Sequence, residues 1–93
     1  MKTTLKYNNP DREVTFDINF DNGSEKQIDW ALNIIVSKLT GPMDMAMQFT
    51  GEKFDKAFDQ AMMICNKMLS VKSAKFWIDN RNNNWKSIYQ LIS

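Results

Sequence analysis

Val14, Phe16, Ile18 and Phe20 alternate with Thr15, Asp17, Asn19 and Asp21, the period of a strand with one dry and one wet face. Lys2 to Tyr7 alternates as well, with Thr3, Leu5 and Tyr7 on one side and Lys2, Thr4 and Lys6 on the other. Asn8-Asn9-Pro10-Asp11 between them is turn-forming, because proline fixes its own φ and Asn and Asp side chains bond back to the backbone. The pattern predicts a two-stranded antiparallel β-hairpin over residues 1–21. A lone hairpin is marginal in water, so helices are expected to cover its apolar face.

From residue 24 the period becomes helical. Asn22-Gly23 has the form of a hairpin turn, but Ser24 with Gln27 makes a capping box and favours a strand-to-helix connection. Ile28, Leu32, Ile35 and Leu39 then share a face that Trp30, Ile34 and Val36 widen. Gly41-Pro42 is expected to end this helix, since proline disfavours helical geometry in the residue before it and glycine accepts a left-handed cap. Pro42 to Thr50 is open between a loop and a short helix. Thr50 reads as the N-cap of the longest helix, with Glu52 in its first turn. Phe54, Phe58, Ala61, Cys65 and Met68 form the inner face of that helix. Ser70 or Ser73 caps the next, which carries Ala74, Trp77 and Ile78. Asn82-Asn83-Asn84 is expected to break the chain there and cap a last helix bearing Trp85, Ile88, Tyr89 and Ile92. A single bent helix from Ser73 to Ile92 is the competing reading. The fold class expected is α+β: an N-terminal two-stranded antiparallel β-hairpin packed against three to five α-helices. It forms one domain over 1–93, with the hairpin in 1–21 and the helical part in 24–93.

Size and composition refine this only slightly. A chain of 93 residues buries about 60–65% of its extended surface on folding, so a homo-oligomer would be a natural supplement to one modest core. An apolar share of 43% with 25% charged residues is that of a globular protein rather than a disordered one. The net charge of +1 gives no general pull toward nucleic acid or membrane. Charge is nevertheless segregated. Asp11, Glu13, Asp17, Asp21, Glu25 and Asp29 are accompanied only by Arg12 and Lys26, whereas Lys67, Lys72, Lys75, Arg81 and Lys86 are accompanied only by Asp79. With neither a leader-like apolar segment at the start nor an 18-residue apolar run, no membrane association is expected, and the cytoplasm is the expected compartment.

The residue types limit the chemistry. The chain has no histidine, which removes the usual general base and the commonest transition-metal ligand. Cys65, the single cysteine, lies in an apolar helical face and reads as an inert buried thiol. Asp17-x-Asn19-x-Asp21 begins like a calcium loop, then departs from it, with Asn22 at the glycine position and Ile28 where the bidentate glutamate belongs. Asp55 and Asp59 lie four apart beside Lys53 and Lys56, as a solvated helix face would. There is no phosphate-binding glycine loop. The expectation is a protein that is not an enzyme and holds no metal or cofactor.

What remains are surfaces. Trp77, Arg81, Trp85 and Tyr89 recur at steps of four and are hot-spot residue types; Arg81 is placed to stack on either tryptophan ring. Met43, Met45 and Met63, with Phe49, suggest a soft apolar patch before and along the long helix. These seven residues, Trp77, Arg81, Trp85, Tyr89, Met43, Met45 and Met63, are the expected interaction set. The alternative set, Lys67, Lys72, Lys75, Arg81 and Lys86, combines bases with nearby aromatics as nucleic-acid binding demands. A third reading places a small anionic ligand at the seam of an oligomer. Ala74–Arg81 (AKFWIDNR) resembles, in general flavour only, small accessory proteins of bacterial viruses. The function expected first is that of an interaction module, an inhibitor or adaptor that occludes a larger protein.

Overall fold

The computed structural model describes residues 2–6 and 13–93, with side chains from Val14 onward. The elements are β1 (Lys2–Lys6), β2 (Glu13–Asp17), α1 (Glu25–Ala46), α2 (Gly51–Leu69), α3 (Ala74–Asp79) and α4 (Trp85–Ile92). β1 and β2 run antiparallel, Lys2 opposite Asp17 and Lys6 opposite Glu13. The expected turn at Asn8–Asp11 lies outside the described residues.

The expected fold class is corrected here. β1 and β2 pair with each other, but the pair does not serve as a layer on which the helices pack. Apart from the pairing of β1 with β2, the substantial contacts are between helices: α1 with α2, α3 and α4, and α2 with α4. β2 sends side chains into the core through Val14 and Phe16, followed past its end by Ile18. Alternation thus identified the dry residues correctly but not their role, because a helix-built core takes in that edge as one more strip of apolar cover. The chain is an assembly of four helices, among the described residues, with an extended N-terminal segment.

α1 is its spine. Ser24 accepts from the Gln27 backbone N–H at 3.2 Å while the Ser24 N–H donates to Gln27 Oε1 at 3.0 Å, closing the capping box. Gly23 enters the helix at φ +127°, where a side chain would be strained. Ala31, Ile34, Ile35, Leu39, Met43 and Ala46 then line one buried stripe at helical spacing. The expected stop at Gly41-Pro42 does not occur, and α1 runs through both to Ala46. Proline inside a helix removes a hydrogen bond and costs about 3 kcal/mol. Burial of Pro42, Met43 and Ala46 beyond it offsets that cost on the scale of about 1.5–3 kcal/mol per large apolar side chain.

Thr50 does hold the N-cap position of α2, but its hydroxyl makes no capping bond. Gly51 follows at φ +62° with open space around it. Phe54, Ala61, Cys65 and Met68 are the buried face of α2. Ser73 caps α3 by accepting from the Phe76 N–H at 3.2 Å. Asn84 caps α4 by accepting from the Ser87 N–H at 2.8 Å. The asparagine run therefore separates two short helices. The N-terminal segment is tied in by Asp21 N–H donating to the Lys72 carbonyl at 2.9 Å, beside a parallel bridge between Asn22 and Ser73.

Candidate functional site

Trp77 and Trp85 share no face. Trp77 is fully buried among α1 and α3 residues, packs edge-on to Phe76 with ring centroids 5.3 Å apart, and donates from Nε1 to the Val71 carbonyl at 3.0 Å. A buried indole needs such an acceptor, and with it satisfied Trp77 belongs to the core rather than to a contact surface. Met43 is likewise enclosed. Both are corrections to the expected interaction set, and both follow from α1 continuing past Pro42: the extra turn turns Met43 inward, and α3 lies against α1.

Arg81 stacks on neither expected ring. Its guanidinium sits 5.3 Å from the centroid of Trp30 on α1 and donates to the Ile78 carbonyl at 2.7 Å. Lys38 Nζ donates in turn to the Arg81 carbonyl at 3.0 Å. This cluster fastens the α3–α4 connection to α1 and leaves Trp30 half open to solvent.

The remaining four residues of the set, Met45, Met63, Trp85 and Tyr89, come together. Trp85 lies across α1 at Gly41, where a Cβ would stand 2.0 Å from its Cδ1 and 2.4 Å from its Nε1. Only glycine lets the ring approach so closely. That contact holds α4 against α1 and opens a groove of about 210 Å³ lined by Met45, Phe49, Ala57, Gln60, Ile64 and Trp85. A shallower cleft of about 180 Å³, lined by Gln60, Met63, Ile64 and Tyr89, adjoins it through the shared Gln60 and Ile64. Met45 and Phe49 are each 43% exposed and Met63 is 69% exposed. The sequence missed Gln60 and Ile64 as lining residues, since Gln60 is a polar residue on the open side of α2 and Ile64 is only half-buried. Gly41 and Trp30 were missed in their roles too; a glycine inside an apolar helical stripe was the available signal for the first.

The five basic residues are all exposed. Lys67 ends α2, Lys72 and Lys75 flank the start of α3, Arg81 is committed to Trp30, and Lys86 Nζ stands 5.7 Å from the Trp85 ring centroid. Cys65 is fully buried, with Sγ–H donating to the Leu39 carbonyl at 3.7 Å. Burial pushes its pKa from 9.0 up to about 12, so it stays a neutral thiol. Among the described residues no group of three or more His, Cys, Asp or Glu side chains is arranged to hold a metal ion, and no helix is long and apolar enough to cross a membrane. No protein-family model, curated protein or solved structure matches the chain.

Proposed function

We propose that this protein is a non-catalytic interaction module, an inhibitor or adaptor that occludes part of a larger protein in the cytoplasm. The observation that carries the reading is the groove of Met45, Phe49, Gln60, Ile64 and Trp85. It is apolar, has one amide among its lining side chains, and is rimmed by an exposed methionine and an exposed phenylalanine. Aromatic and methionine side chains around a concave apolar surface favour a protein segment over a small polar substrate. The Lys86 ammonium above Trp85 supplies a charge beside the groove that orients an approaching partner.

Affinity capture with the tagged protein tests it, comparing wild type with Met45→Asp and Phe49→Asp. Both side chains are 43% exposed, and circular dichroism on each variant checks that it is folded. The reading requires a stoichiometric partner that both variants lose and that Lys72→Ala retains. A partner kept by the groove variants and lost with Lys72→Ala and Lys75→Ala, particularly a salt-sensitive nucleic acid, contradicts it.

A further inference from the structure

We infer that α2 is also the seam of a symmetric homodimer, crossing its own copy antiparallel at Met63. Three observations converge on that residue. Met63 is 69% exposed in the middle of α2, a large flexible apolar side chain turned to solvent. Beside it opens the cleft of about 180 Å³ formed with Gln60, Ile64 and Tyr89, a concave apolar seat of the kind a thioether fills readily. The nearest charged residues on either side of it, Asp59 and Lys67, lie equally far away and are opposite in sign.

In an antiparallel helix pair related by a two-fold axis, residues equally far before and after the crossing point face each other. With the axis at Met63, Asp59 of each copy meets Lys67 of the other, Gln60 meets Asn66, and Lys56 meets Ser70. Asp59, Gln60, Asn66 and Lys67 are all exposed. No like charges oppose one another in this register, and the Asp59–Lys67 attraction occurs twice. Moving the axis one turn to Gln60 instead sets Lys53 against Lys67. Charge complementarity and the exposed apolar residue therefore select the same register. The Met63 side chain of each copy enters the other's Gln60–Ile64–Tyr89 cleft. The seam uses the Met63 end of the apolar surface and leaves Met45 and Phe49 uncovered, while Gln60 and Ile64 border both clefts.

Sedimentation equilibrium across a concentration series provides the test. Wild type should pass from monomer to dimer mass, and Met63→Lys, which sets two ammonium groups on the axis, should remain monomeric. Asp59→Lys alone and Lys67→Asp alone each oppose like charges twice and should weaken association roughly tenfold or more. Mixing those two variants restores both opposite-charge pairs, so a heterodimer should re-form at close to wild-type affinity. Wild type that stays monomeric up to roughly millimolar concentration overturns the inference, as does a Met63→Lys protein that still dimerises. Failure of the mixture to associate overturns the register. Circular dichroism on each variant confirms that mass changes are not unfolding.

Discussion

Trp77 and Trp85 stand eight residues apart on neighbouring short helices and do opposite work. Trp77 has its whole surface covered and its N–H satisfied by Val71, so truncation to alanine should cost roughly 3–5 kcal/mol. Trp77→Phe should cost less, about 1–3 kcal/mol, for a carbonyl left without its donor and for lost volume. Urea denaturation monitored by circular dichroism measures both, and a Trp77→Phe cost near zero would mean the indole N–H contributes nothing. Cys65 gives a pH signature. Its thiol stays protonated in the folded state to about pH 12, whereas the unfolded thiol ionises near 9.0. Below pH 9 both states hold the proton and the contribution is fully present. As pH rises above 9 only the unfolded state releases it, so stability falls by up to about 1.4 kcal/mol per pH unit. Wild type should therefore lose stability relative to Cys65→Ala as pH rises through this window, and a pH-independent difference between the two would contradict the assignment. Trp77 and the buried Cys65 both lay on apolar helical arcs in the sequence. What the arcs could not give was the distinction between Trp77 and Trp85, since four-residue spacing is blind to a helix break between them.

At the scale of elements, the local punctuation was legible wherever side chain and backbone cooperate. Ser24 with Gln27, Ser73, and the asparagine run ending at Asn84 all cap helices as their chemistry suggests. Gly41-Pro42 misled, because two helix-breaking residues in sequence are ordinarily a stop. Here burial beyond Pro42 outweighs its local cost, and Gly41 is set by its contact with the Trp85 ring, a partner the sequence does not name. Glycine to alanine in a helix interior normally stabilises by about 1 kcal/mol. Gly41→Ala should instead destabilise, by about 1–3 kcal/mol, because the new Cβ overlaps the Trp85 ring. In a Trp85→Ala background the same substitution should return to stabilising. A double-mutant cycle by chemical denaturation reads this reversal of sign directly, and Gly41→Ala that stabilises wild type would show the ring contact to be dispensable. The expectation of helices packed on a hairpin missed for a related reason. Alternation identified Val14, Phe16 and Ile18 as dry, yet period alone cannot say whether a sheet carries the core or merely lends it a strip of side chains.

Across the whole molecule, one surface gathers the side chains that the helical arcs left over. Met45 and Met63 were legible because they fall off the inward faces of α1 and α2. The groove they share with Phe49, Gln60, Ile64, Trp85 and Tyr89 was not, because it depends on how three helices cross. Polar substitution there should be nearly neutral for folding. Met45→Asp and Phe49→Asp should each change unfolding free energy by no more than about 0.5 kcal/mol, measured by urea titration, while abolishing target binding. Site-specific photo-crosslinking is the most direct test of the groove as the working surface. A benzophenone side chain placed at 45 or at 49 should give the same covalent adduct with one larger protein, and one placed at Asn33, exposed on α1, should give none. An adduct formed from Lys75 on the basic side, with positions 45 and 49 silent, would contradict the account.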